Sequence, residues 1–482
     1  MRRLNVFAAL LTVSTTLAVL VGAVGAVPAS ALPVGAGAGG TWGKAEEIPG
    51  TAKLNVGGTA SVNSLSCSSP GNCAVGGSYA LKTGESAFLA TQRSGGWRTA
   101  FKVSGSIMKS QNSQVTSVSC PSAGNCAAAG SYEDSGSRTQ AFVVTERKGT
   151  WSAAREVPGS GQLNAGGGGG ISNLVCVSAG NCVVAGYYTD SSRTDHVYTV
   201  SERNGTWQHV DQLNLTALGA GSYILVTSLS CPSAGSCALG GQYIDSHGRD
   251  QAFLASEKNG AWRAAEEVPG TGPLNAGGIA TTSSVSCPSA GNCALDGSYL
   301  DNSGHTELFV VSESNGRWGT ASEMAGLAKL NAGGSAAVGM VSCASAGYCV
   351  TGGQYLDGVH HVHAFIATER KGHWANAEQV PGLTKLKASG SSVTVISCAS
   401  AGNCGIGGNY IDGSGQLQAF VANQGKGRWG NAIEVPGSAA LNKGGEAMIT
   451  SISCKSATAC SAGGTYLDRK LDFQVMVVSE AS

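Results

Sequence analysis

The sequence predicts an all-β protein, an eight-bladed β-propeller of four-stranded antiparallel blades, and three observations carry that prediction. Sixteen cysteines fall into eight C-x5-C pairs. Eight tryptophans, from Trp42 to Trp429, follow one another at intervals of 54 to 56 residues. Within each interval turn signals recur every 8 to 14 residues, the spacing of short strands joined by tight turns. A self-similar period of about 50 residues is that of a propeller blade.

The chain opens with Arg2 and Arg3 ahead of a long apolar stretch that ends in Ala29-Ser30-Ala31. This is the layout of a secretory signal, so residues 1–31 are expected to be cleaved after Ala31. Residues 32–40 read as a Gly/Ala-rich linker and 41–482 as the repeat domain. Cysteine usage agrees with export, because eight pairs with none left over suit an oxidising compartment. No anchoring segment follows the last repeat, so release to the medium, without membrane association, is the expectation. The 30 basic residues balance 30 acidic ones, and without Arg2 and Arg3 the count is 28 against 30. These charges are scattered, whereas a binder of phosphate backbones needs a basic stripe. No nucleic-acid partner is expected.

The second repeat sets the element order. Strand A is expected over 115–120, strand B over 127–132, strand C over 140–146 and strand D over 151–157, with PSAGN, EDSGSR and RKGT as the hairpin tips. A Gly-rich crossover leads to the next blade, with counterparts at Leu54-Asn55, Leu274-Asn275, Leu330-Asn331 and Leu441-Asn442. The strand C runs AFVVT, AFLAS, AFIAT and AFVAN are apolar on both parities, so both faces of each sheet must be covered. Pro158, Pro269, Pro381 and Pro436 end strand D, as suits an outer edge. The chain begins with a lone strand D from Thr41 and ends on strands A, B and C, so the first strand should complete the last blade in a 3+1 closure.

Each cysteine pair spans the A to B hairpin, where a local disulfide fits. The expected bridges are Cys67-Cys73, Cys120-Cys126, Cys176-Cys182, Cys231-Cys237, Cys287-Cys293, Cys343-Cys349, Cys398-Cys404 and Cys454-Cys460. Seven repeats carry Tyr-x-Asp at the end of strand B, from Tyr132/Asp134 to Tyr466/Asp468, where the Asp is expected to bond the turn backbone. Glu146, Glu202, Glu257, Glu313, Glu369 and Glu480 end strand C, with Gln92 and Gln424 in the other two repeats, a hydrogen-bonding position rather than a catalytic one.

The turns before the tryptophans, SERNGTW, SEKNGAW and SESNGRW, resemble the Asp-box turns of sialidase-type propellers. They are one residue shorter and lack the Asp, and in that family the box is structural. As a whole, residues 41–482 resemble the tandem Cys-pair repeats of uncharacterised secreted proteins from high-GC actinobacteria, on SCPSAGNC, NGTW, EVPG and LNAGG. The resemblance implies a secreted propeller and no established activity.

In a four-stranded meander the A–B and C–D tips share one face, and the B–C loops and D–A crossovers share the other. Variation collects on the second face. Arg138, Arg193 and Arg249 stand at matching places in three consecutive blades, followed by His305 and by His360, His361 and His363. These seven are the candidate ligand-binding residues, and an extracellular or cell-wall glycan is the expected ligand, with arginines forking to carboxylate. The histidine cluster has no paired carboxylate in this reading, so no metal is expected, and no cofactor. The alternatives are a structural or adhesive platform for a protein partner and a propeller glycoside hydrolase or lyase. A glycosidase needs two carboxyl groups flanking the bond, and the candidates Glu133, Asp195, Asp250 and Glu307 are spread over several loops. No G-x-S-x-G or H-E-x-x-H motif occurs, and a non-catalytic monomer is the expectation.

Overall fold

Blade 2 is built from strand A at Ser113–Ser122, strand B at Asn125–Glu133 and strand C at Thr139–Arg147. Strand D is two short pieces, Thr150–Trp151 and Arg155–Glu156, both paired to strand C. The computed structural model describes residues 40–109 and 112–481, and over these the same pattern recurs in eight antiparallel sheets. The expected signal segment 1–31 and all of the linker 32–40 but its last residue lie outside the described residues. Closure is 3+1: Thr41–Trp42 and Glu46–Glu47 pair with Phe473–Ala481, strand C of blade 8.

Two expectations need correction. Strands A, B and C run one or two residues further at their ends than the turn signals suggested, and strand D is not continuous. Its break has a physical cause at the rim. The Ala154 N–H, in the gap, turns away from its own sheet and donates to the Ser104 carbonyl of the preceding blade at 2.8 Å. Ala100 reaches the Pro49 carbonyl, Ala321 that of Pro269 and Ala432 that of Pro381 in the same way. The residue that closes strand D, a proline at five of the eight junctions, therefore stitches each blade to the next through its carbonyl.

The inner ring explains the repeated phrase SVSC. Ser119 Oγ accepts from the Cys176 N–H of the next blade at 2.9 Å, and Ser66, Ser230, Ser286, Ser342 and Ser397 do the same for Cys120, Cys287, Cys343, Cys398 and Cys454. Ser453 closes the circle onto Cys67 at 3.1 Å. Seven of the eight junctions carry this bond; the exception is blade 3, where Val175 stands in the serine's place and packs on the apolar layer instead. The cysteines are bridged as expected in all eight blades, with Cα atoms 3.9–4.1 Å apart.

Apolar layers lie between blades rather than in a central core. Leu89 and Ala74 of blade 1, for example, pack with Val115, Val118 and Phe142 of blade 2. Phe88, Phe142, Phe253, Phe309, Phe365 and Phe420 are the fully buried anchors of strand C. Glycine is required opposite them: a Cβ on Gly130 would fall 1.9 Å from the Gln114 carbonyl oxygen and 2.9 Å from the Phe142 ring.

Candidate functional site

The B–C loops are tied to the crossovers by one network that repeats. Asp134 Oδ1 accepts from the N–H groups of Gly136 and Arg138 at 2.8 and 3.1 Å, and Oδ2 accepts from Gln140 Nε2 at 3.0 Å. Gln140 Oε1 in turn accepts from Asn164 Nδ2 of the following crossover. Asp245-Gln251-Asn275 and Asp412-Gln418-Asn442 repeat the chain of contacts. The Asp of Tyr-x-Asp thus holds the turn backbone, and the Asn of the Leu-Asn crossover motif fixes that crossover to the blade before it.

Against this frame the seven candidates fall into three positions. Arg138, Arg249, His305 and His361 follow the turn Asp by four residues and lie at the loop surface. Arg193 and His360 follow it by three and adopt the left-handed conformation at φ 66°. The three arginines therefore do not occupy matching places, because the Asp190 loop presents Thr194 where the others present Arg. Arg138 is also engaged, its Nε 3.0 Å from Asp134 Oδ2. His363 follows by six, in the position of Gln140, and its Nε2 lies 2.9 Å from Asp357 Oδ2. His361 Nδ1 lies 3.8 Å from the same oxygen. The structure brings Asp357, His361 and His363 together and leaves the arginines one to a blade. The carboxylate missing from the sequence reading of the histidine cluster is Asp357, whose turn role hid it. The His361 N–H, outweighing partial desolvation together with the His363 ring and the Val359 N–H, holds that carboxyl at about 2.

A hollow of about 530 Å³ opens on this face at blade 5, lined by Tyr299, Asp301, His305, Glu307, Glu323 and Asn331 among others. Glu307 stands where Gln140 stands in blade 2. It is 7% exposed; its Oε1 accepts from Asn331 Nδ2 at 3.0 Å, and its Oε2 has no hydrogen-bond partner. Burial pushes the carboxyl up despite the Asn331 bond. In blades 2, 7 and 8 the strand B tyrosine hydroxyl donates to the strand D glutamate at 2.8–3.0 Å. Tyr299 makes no such bond to Glu323.

The opposite face, expected to be scaffold alone, also holds clefts between blades. Arg93, at the end of strand C in blade 1, crosses to Glu146 Oε1 at 2.5 Å and to the Gly149 carbonyl at 2.9 Å in blade 2. Arg147 repeats this with Glu202 and Gly205, and the groove it occupies between blades 2 and 3 holds about 190 Å³. The equivalent residues at the next two blades are Arg203, which forms no ion pair, and Lys258. The grooves there widen to about 340 and 600 Å³. Ser314 follows, beside a groove of about 400 Å³. The widest of these clefts is lined by Glu257 and Glu313, both raised by burial, with Lys258, Arg263, Arg317 and Trp318 around them. The run Arg93, Arg147, Arg203, Lys258, Ser314 was the sequence signal for this series.

No family model matches the chain, and no curated protein matches it in sequence. Among solved structures it is similar to Sqt1 from Chaetomium thermophilum, at 12% identity over 88% of this chain and 98% of that one, TM-score 0.49. It is also similar to the Hadza microbial sialidase Hz136, at 10% identity over 70% and 73%, TM-score 0.36, and to the GH93 α-L-arabinofuranosidase of Fusarium graminearum, at 12% over 62% and 89%, TM-score 0.31. The likeness is one of fold. Eight disulfides suit an oxidising, extracellular environment, and among the described residues no helix is long and apolar enough to cross a membrane.

Proposed function

We propose that the protein is an exported binding protein and that it takes a hydroxyl-rich glycan in the blade 5 hollow, on the face of B–C loops and crossovers. The observation that carries this reading is the unpartnered Oε2 of Glu307. Buried polar atoms are almost always hydrogen-bonded, and a buried acceptor left alone costs roughly 1–3 kcal/mol. Sugar hydroxyls would supply the missing donor, with the Tyr299 hydroxyl, Glu323 and His305 available at the same hollow. Such a site binds through a few convergent polar groups, as small-ligand sites do.

The test is retention on a panel of soluble and cell-wall glycans, with released product measured in parallel. Glu307→Gln restores the residue found at this position in blades 2, 4, 7 and 8, so it leaves the repeat intact. Binding without turnover, lost in Glu307→Gln, supports the reading. Binding unchanged in that variant but lost when Arg138, Arg193 and Arg249 are replaced by Ala moves the site to blades 2–4. Product release would establish the glycosidase or lyase reading instead.

A second reading rests on the 600 Å³ cleft between blades 4 and 5. Where Arg93 and Arg147 fill the equivalent grooves the chain supplies its own guanidinium. Glu313 has no hydrogen-bond partner, and an arginine from a protein partner would occupy the same place. Lys258→Arg should narrow the cleft and weaken such docking while leaving glycan retention untouched.

A further inference from the structure

We propose that Asp357, His361 and His363 form a binding site for a divalent transition-metal ion, with Zn²⁺ as the ion to test. One ligand atom from each of the three side chains lies within 4.8 Å of the other two. Two of the separations are 2.9 Å and 3.8 Å, both to Asp357 Oδ2. With metal–ligand bonds of about 2.0–2.2 Å, ligand atoms around a tetrahedral zinc sit roughly 3.3 Å apart. The observed separations bracket that distance, and the ring that must move inward is His361, the more exposed of the two at 64% of its side chain. Two imidazoles and one carboxylate are a borderline donor set that suits Zn²⁺, with open positions left for water or substrate.

The other blades act as built-in controls. Every turn Asp uses Oδ1 to hold its own loop, while Oδ2 faces the residues four and six positions on. Blade 3 has His196 at the second of these, 2.9 Å from Asp190 Oδ2, but Thr194 at the first. Blade 5 has His305 at the first, 3.8 Å from Asp301 Oδ2, but Glu307 at the second, held by Asn331. Blade 6 alone among the seven Asp-bearing loops has histidine at both.

A second feature accompanies the histidines. Position six is histidine in blades 3 and 6, the two Asp-bearing blades whose following crossover lacks the Asn of the Leu-Asn motif, having Leu218-Gly219 and Leu386-Lys387 instead. Where that Asn is present, its Nδ2 occupies the acceptor of the Gln or Glu at position six. His363 is released from that duty. Its ring lies against Tyr355, with centroids 5.4 Å apart, which orients Nε2 toward Asp357 Oδ2, 2.9 Å away. The Nε2 lone pair becomes available when the ring proton sits on Nδ1.

The experiment is calorimetric titration of ZnCl₂ into the tag-free, oxidised, metal-stripped protein at pH 7.5. One ion per chain is expected. His363→Gln, which installs the amide of the other blades, and His361→Ala should each weaken binding at least tenfold, with unchanged circular dichroism and thermal midpoint in the absence of metal. Thr194→His should add a second ion, because it supplies blade 3 with the third ligand beside Asp190 and His196. No saturable heat from the unmodified protein overturns the proposal. So does binding that His361→Ala and His363→Gln leave unchanged, which would place the ion elsewhere.

Discussion

Asp296 offers a test of how the blades are held together. Strand B of the other blades carries Gly or Ala at this position, as in Gly240 and Ala129, yet Asp296 is fully buried. Its Oδ1 accepts from the Ser284 N–H at 3.0 Å, and its Oδ2 accepts from Thr351 Oγ1 of blade 6 at 2.6 Å. Thr351 is itself the exception at its position, where the other blades have Val, Leu, Ile or Ala. Burial dominates these two bonds and raises the carboxyl to about 7 from an ordinary 3.8. A raised carboxyl favours the protonated fold, so its contribution is fully present below the unfolded value and is lost as pH rises toward 7. Between pH 5 and pH 8 the loss is about 3 kcal/mol, at 1.36 kcal/mol per unit. For a domain of roughly 440 residues, with an unfolding entropy near 2.1 cal/mol/K per residue, that is about 3 °C in the thermal midpoint. Asp296→Asn keeps the shape, still accepts from Ser284 and can donate to Thr351, but does not titrate. The other buried acids titrate in both proteins and cancel in the difference. Thermal scans of the two proteins at pH 5 and pH 8 should therefore show the wild type losing about 3 °C more than the variant. Equal pH dependence in the two would refute the reasoning.

Three further outcomes follow from the junctions. Ser119→Ala removes the acceptor of the Cys176 N–H and should cost about 1–3 kcal/mol, read as a lowered guanidinium midpoint. Arg93→Ala leaves the Glu146 carboxylate buried without its cation. Removing one partner of a buried pair costs about 3–5 kcal/mol, and because Arg93 is a third exposed about 2 kcal/mol is expected. The penalty should shrink on acidification, since burial already raises Glu146 and protonation removes the stranded charge. Replacing Cys120 and Cys126 together by Ala frees a loop of seven residues and should cost about 2 kcal/mol, with the other bridges intact by mass spectrometry.

The ring was legible because its signals are local and repeated. A C-x5-C pair across a tight turn and an AFVVT-type run each report on their own hairpin, and eight copies remove the ambiguity of one. The division of strand D was not legible, because its cause is a bond from Ala154 to a carbonyl in another blade. The candidate site was read less well, for the same reason. Which charged residues share a position depends on the turn register, and a one-residue offset put Arg193 with His360 rather than with Arg138. The inter-blade clefts were missed because the residue that fills one, such as Arg147, belongs to a blade about 55 residues from the glutamate it meets.

The repeat also indicates where to look for function. A residue that recurs in most blades has a scaffold task that the structure can name: Ser119 for the inner ring, Pro269 for the rim, Asp134 and Asn164 for the loop face. The departures from the repeat are then the places to test for function, and several of them cluster. Lys258, Asp296, Glu307, Ser314, Thr351, His361 and His363 all fall in blades 4–6. Some of them leave scaffold duties undone, as the open groove at Lys258 and the bare oxygen of Glu307 show. A fold that needed only stability would have kept the consensus residue at each of these places, since the neighbouring blades show that it fits. The sector of blades 4–6 is therefore where the proposed ligands would meet groups that the scaffold does not use.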